Sequence, residues 1–470
     1  MPHPGPRAAA YALAWIFAIA LAADLLWMPV QVGDSLGEML SAQESPSVWA
    51  SFTDSFGSEA YLRPLRIAQI KALFDLAQPT HYWLVYRGFH ALLIVAALLL
   101  FMRALRISTR VDFVAAVVAL VVLIGSYTFR GTVQESFPIN HFLEMVVFCL
   151  VALNLTQSRG GVWVDLGATL TFAAAALTLE SGLLVWVVVV AAWAVGWRGV
   201  STRGLAAMTV LLVGYAYVRF GVLSTGVPAL SERSAGYLLE MLDPPELQRR
   251  FGSQPLWFYG YNVVASLSAV LFSEPQDGIF ETVYAWMNDR PMWRVMIPVA
   301  TSVATTAVLG WAAIRRLRGT APFDDTARAI AVFCAVLVAN AVLSFAYTKD
   351  EIISVAGAFY AFAAYGAVRD ALPSITVRPA VAATNAVLLC ALATGWSVRA
   401  AGVHYVLRSQ AVKHQIDWVE LPGRWQRDGN WPTDPAEQRL ILQLRDDALK
   451  SSLPNTRMGR PEWPDRVWLE

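Results

Sequence analysis

An acidic residue, Asp34 in QVGDSLGEM (31–39), stands where an apolar run beginning at Ala8 gives out. A carboxylate at the rim of an apolar medium is partly desolvated, which raises its pKa toward values suited to taking a proton from a hydroxyl. The competing role is a solvated or helix-capping acid. Five cations fall at the ends of apolar segments: Arg63, Arg66, Arg87, Arg219 and Lys349. A guanidinium keeps its charge when buried, and its planar fork matches phosphate oxygens. These side chains can therefore hold an anionic group, or serve only as topological anchors. Glu135 precedes Asn140 and His141, which can bind hydroxyls or merely cap a helix. Glu180 sits in a short turn, placed either to orient an arginine or to shape the turn. Asp24 precedes Asp34 by about 15 Å of helix at roughly 1.5 Å per residue. An acid at that depth is costly and marks a functional site by default, unless it is paired with a buried arginine.

The elements that must position these residues are membrane helices. Of 470 residues, 56% are hydrophobic and 15% charged, against roughly 25% charged in soluble domains; mean hydropathy is +0.48. Several nearly uncharged runs reach the ~18 residues needed to cross about 30 Å of hydrocarbon. The net charge of +1 gives no reason to expect a nucleic-acid partner, and 18 tryptophans fit two membrane interfaces. Cys149, Cys334 and Cys390 all lie inside apolar runs, which argues against a zinc cluster or a disulfide framework. The first apolar run continues to about Val32, longer than a cleaved signal peptide's core, so an uncleaved signal-anchor is expected.

The pattern predicts an all-α polytopic membrane protein with about eleven spans, near 8–31, 82–102, 112–129, 139–156, 162–179, 183–197, 204–222, 292–314, 328–347, 352–368 and 379–400. Arginines collect in alternate short loops: Arg103, Arg106 and Arg110; Arg159; Arg198 and Arg203; Arg315, Arg316, Arg318 and Arg328; Arg369 and Arg378. By the positive-inside rule those loops are cytoplasmic, which puts the N-terminus inside and the C-terminus outside. Residues 1–400 then form the transmembrane domain, with outer loops 32–81 and 223–291, and 401–470 form an extracytoplasmic tail. The apolar segment 255–272 is read as interfacial or re-entrant, because spanning would move IRRLRG outside. Pro64 suits the first turn of a helix. The residues after it, from Leu65 to Leu76, predict an amphipathic helix lying on the membrane surface, with Arg63, Arg66 and Lys71 at headgroup level.

Several short elements resemble the multi-pass glycosyltransferases of the GT-C superfold, in particular the protein O-mannosyltransferase-like (glycosyltransferase family 39-like) branch. They are the Arg63-Pro64-Leu65 element, Leu73-Phe74, Pro79, His90 in the second span, Glu180-Ser181-Gly182 between the fifth and sixth, and Arg219 closing the seventh. The likeness covers roughly residues 8–225. Asp34 stands alone where many members carry two adjacent acids, Arg87 replaces an uncharged residue, and Leu179 replaces a lysine.

This resemblance implies a sugar donor on a polyprenyl phosphate and inverting transfer to an extracytoplasmic hydroxyl of an envelope glycan, lipid or protein. In that reading Asp34 is the general base. Arg63, Arg66, Arg87, His90, Glu135, Glu180, Arg219 and Lys349 bind substrate. No metal ligands are assigned, although a divalent cation is compatible with the family. The expected location is a bacterial inner membrane. The rival reading is a transporter or flippase for a lipid-linked or envelope component. It expects polar residues through the midplane and broken helices, whereas here Asp24, Glu144, Asn340 and Asn385 are few and charge gathers at helix ends.

Overall fold

The computed structural model describes residues 5–28, 35–57, 61–77, 82–134, 140–223, 234–236, 239–252, 255–274, 278–372 and 379–451. Helices α1 (Pro6–Trp27), α2 (Ser35–Glu44), α3 (Val48–Asp54), α4 (Pro64–Ala77) and α5 (Tyr82–Ala104) come first. They are followed by α6 (Arg110–Gly125), α7 (Tyr127–Gln134), α8 (His141–Thr156), α9 (Val162–Thr178), α10 (Leu184–Ala194) and α11 (Thr202–Ala216). A two-stranded antiparallel hairpin, β1 (Ser234–Gly236) and β2 (Leu239–Leu242), interrupts the helices. Then come α12 (Pro244–Phe251), α13 (Leu256–Phe272), α14 (Ile279–Met287), α15 (Trp293–Leu317), α16 (Asp325–Leu343), α17 (Ser354–Ala371), α18 (Pro379–Asp428) and α19 (Pro435–Ser451).

Among the described residues, seven helices are long and apolar enough to cross a membrane by length and composition, or nine if each of two bent pairs is one span. The chain is a helical, polytopic membrane protein. Fewer long spans form than the eleven expected, because local signals cut three of them short. Asn140 caps α8 through its side chain, and a 3-10 turn at Glu180–Leu183 separates α9 from α10. The 112–129 segment bends by 67° between α6 and α7. The apolar 255–272 segment becomes α13, set at 100° to α12 and tied to the end of α16 by the Asn262 amide donating to the Phe345 carbonyl.

The centre of the bundle is α17. Every residue from Ser354 to Val368 is buried. Its sequence, SVAGAFYAFAAYGAV, is rich in small residues, which let helix backbones approach closely where no hydrophobic drive separates protein from lipid. By contrast, only 11% of the apolar window that includes α11 is buried inside the protein, so most of this helix lies at the outside of the bundle.

A second layer sits against one end of the bundle. Met39 and Ala42 of α2, Ile70, Phe74 and Ala77 of α4, Tyr82 and Tyr86 of α5, Trp418 of α18, and Leu440, Ile441, Leu444 and Ala448 of α19 form one apolar cluster. The expected helix is present as α4, but its apolar residues are not gathered on one side as an amphipathic helix requires, and the face it buries meets other helices. Lys71 is buried and paired with Asp75, and Leu76 is the apolar side chain left exposed. No break occurs at residue 400. Helix α18 runs through it for 50 residues, about 75 Å at ~1.5 Å per residue, because nothing between Gly395 and Pro422 removes a backbone donor. Its far half packs against α19, which folds back onto α2.

Candidate functional site

Three residues from distant parts of the chain meet at one end of the bundle. Glu180 opens the turn between α9 and α10. Leu179, extended at φ −155°, ψ 150°, breaks the helix and turns the carboxylate sideways. Gly182 makes the turn tight: a Cβ there would lie 2.1 Å from the Ala175 carbonyl oxygen. Gly182→Ala therefore has to push α10 off α9. It is expected to cost about 1–3 kcal/mol, as overpacked sites do, read as a lowered thermal midpoint in detergent; an unchanged midpoint would mean the turn relaxes freely.

Arg63, just before α4, grips Glu180 with two nitrogens. Nε lies 2.9 Å and Nη2 2.6 Å from Oε2, and the guanidinium stacks on Tyr61 at 3.9 Å from the ring centroid. Arg219 approaches from the other side, its Nη1 3.3 Å from Glu180 Oε1 and donating to the Tyr215 hydroxyl at 2.9 Å. The end of α11 unwinds into a π-helical segment, Tyr217–Val222, a distortion common at functional sites because it re-aims a side chain. Here Arg219 is buried while Tyr217, Phe220 and Val222 around it are exposed. Burial would push the Glu180 carboxyl up, but Arg63, by charge and hydrogen bonds, and Arg219 outweigh it and hold the carboxyl below the usual carboxylate range. Glu180 thus holds two guanidiniums together at the end of α11.

A second cluster surrounds Asp24 of α1. Arg130 of α7 places Nη2 3.0 Å from Asp24 Oδ2, and His404 of α18 places Nδ1 2.9 Å from the same oxygen. Arg87 donates to the Leu26 carbonyl nearby. The deep acid is therefore neutralised by a cation, the structural alternative to a functional one. A third polar group lies between α4, α5, α7 and α8. His90 Nε2 meets the Thr132 carbonyl at 2.9 Å, His141 Nδ1 meets Glu144 at 2.8 Å, and Gln69 bonds the other oxygen of Glu144. The bland reading of His141, a hydrogen-bonded helix-start residue, is what this geometry contains.

Of the residues singled out from sequence, Arg63, Glu180 and Arg219 converge. Arg66 pairs with Glu38 instead. Lys349 is exposed before the Asp350–Ile353 turn and forms no ion pair among the described residues. Asp34 and Glu135 lie outside the described residues. So does Pro79. Among the described residues, no three His, Cys, Asp or Glu side chains come together as a metal site. Arg130, His404 and Tyr215 were missed. Asp24 was the available signal for the first two, since an acid that deep calls for a cation. Comparison with family models, curated proteins and solved structures returned no match.

Proposed function

We propose that the chain is a membrane glycosyltransferase that moves a sugar from a polyprenyl-phosphate donor to an extracytoplasmic hydroxyl, inverting the anomeric carbon. The observation that carries this reading is the Arg63–Glu180–Arg219 cluster, two guanidiniums on one partly exposed carboxylate at the end of a helix that lies mostly outside the protein interior. The acceptor oxygen attacks the anomeric carbon, the bond from that carbon to the phosphate oxygen breaks, and the acceptor proton passes to a carboxylate. Charge grows on the departing lipid phosphate, where guanidiniums already fixed in place stabilise it without reorganising. Glu180 keeps the two arginines from repelling each other apart and orients both guanidiniums. Asp34 remains the proposed base, because the described carboxylates Glu180 and Asp24 are each tied up by arginine. Arg66, Arg87, His90, Glu135 and Lys349 are proposed to help bind substrate, and the acceptor is an envelope glycan, lipid or protein.

The test is to incubate membranes or purified protein with polyprenyl-phosphate sugars and an acceptor extract, and to follow release of free polyprenyl phosphate. Release that depends on the protein is expected. Asp34→Asn should lower it by about 1,000-fold, within the range that general-base loss and misorientation reach together, while donor binding persists. Full activity in that variant removes Asp34 from the reaction. A second reading, a transporter or flippase, rests on the Asp24–Arg130–His404 cluster between α1, α7 and α18. Protein-dependent movement of a fluorescent lipid-linked sugar across liposomes, without release of lipid phosphate, would favour it.

A further inference from the structure

The basic loops lie at the end of the bundle where α1 begins and α5 and α8 finish, and two cavities open there. The larger, about 630 Å³, is lined by both signs of charge. Within it Arg316 is already held by Asp324 and Asp370, so it is an internal ion-pair network. The smaller, about 360 Å³, is different. Arg7 of α1, Arg103 at the end of α5 and Arg106 just beyond it line this cavity together with Ser108 and Ser158, and no carboxylate does. Arg106 sits in the left-handed backbone region at φ 52°, which a side chain with a Cβ adopts only at a cost. In that conformation its guanidinium bonds the Gln157 carbonyl and is fixed across the mouth between α5 and α8.

The cavity also continues into an apolar stripe. Arg7, Tyr11, Trp15 and Ile19 follow one another at four-residue spacing, hence along one face of α1. Arg7 stacks on the Tyr11 ring, and Trp15 and Ile19 are exposed. From Arg7 to Ile19 is about 18 Å at ~1.5 Å per residue, close to half of the roughly 30 Å hydrocarbon core. A pocket with three arginines and no carboxylate in its lining, joined to an exposed apolar track one leaflet long, has the shape of an amphiphile. Basic pockets between membrane helices take anionic lipid headgroups.

We propose that this pocket binds the phosphate headgroup of an anionic phospholipid, with Arg7, Arg103 and Arg106 on the phosphate and an acyl chain along Tyr11, Trp15 and Ile19. The site lies apart from the Arg63–Glu180–Arg219 cluster, so it stands whether or not the glycosyltransferase reading does.

The experiment titrates the purified full-length protein in neutral detergent with phosphatidylglycerol or phosphatidylcholine, reading bound lipid by native mass spectrometry and the thermal midpoint. Phosphatidylglycerol should bind and raise the midpoint, and phosphatidylcholine should do neither. The double variant Arg103→Ala, Arg106→Ala should weaken phosphatidylglycerol binding at least about tenfold. Arg318→Ala, an exposed arginine at the same end but outside the cavity, should change it less than about twofold. Equal weakening by Arg318→Ala, or no preference for phosphatidylglycerol in the unmodified protein, overturns the proposal. Full displacement by inorganic phosphate at millimolar concentration also overturns it, since the site would then belong to a free anion. Where the double variant does not fold, Arg7→Ala at an exposed helix start replaces it, and unchanged affinity there counts against the site.

Discussion

Arg219→Ala should lower release of polyprenyl phosphate by about 100–1,000-fold, the loss that follows removal of one fixed donor from a developing oxyanion. Arg219 is 5% exposed, and its Nη1 lies 3.3 Å from Glu180 Oε1. Its Nη1 also donates to the Tyr215 hydroxyl at 2.9 Å, whereas Arg63 meets the carboxylate through both Nε and Nη2. Arg63→Ala should cost less in the chemical step and more in stability, because Glu180 would lose its bidentate partner. Arg219→Lys should recover only part of the activity, since an ammonium carries the charge without the fork. If Arg219→Ala stays within about threefold of the unmodified protein, the cluster is a structural clamp between α4, the α9–α10 turn and α11, and the donor phosphate sits elsewhere.

Asp24→Ala should be the more damaging change to the fold, at about 3–5 kcal/mol, the usual effect of breaking a buried ion pair from one side. Arg130 keeps only 7% of its side-chain exposure, and Asp24 18%. Without the acid, a cation is left in the bundle with no counter-charge from α1, and His404 loses the contact that ties α18 to the same place. The reading is a fall in the thermal midpoint in detergent micelles. Restoring shape without charge discriminates the cause: Asp24→Leu combined with Arg130→Met should be far less destabilising than either change alone. Additive single effects would mean that the pair is not coupled, and that Asp24 acts through something other than Arg130. Loss of transport activity with unaltered stability would instead support the transporter reading.

The membrane character and most helix positions were legible because hydropathy is a sum over neighbouring residues. Tyr82–Ala104, Thr202–Val222 and Asp325–Leu343 announce themselves by composition alone. The chemistry-bearing residues at helix ends were legible for a related reason. A charge flanking an apolar run is confined to the interface, so Arg63, Glu180 and Arg219 had few places to go. That they share one site was not legible, since Arg63 and Glu180 stand 117 positions apart in the chain. Nor was the neutralisation of Asp24, whose partner Arg130 is 106 positions away and itself contacts His404 across 274.

By itself, then, the sequence determined that this chain is a helical membrane protein, where its apolar segments run, and which polar side chains are kept at their ends. Only the tertiary structure decided that α17 is the buried centre and that α11 lies at the outside of the bundle. It also decided that α18 continues past its span and that α19 folds back onto α2. Local propensity and hydropathy act within a few turns of chain. Which helices become neighbours depends on side-chain packing and ion pairing between segments a hundred or more residues apart, and no window along the sequence contains both partners.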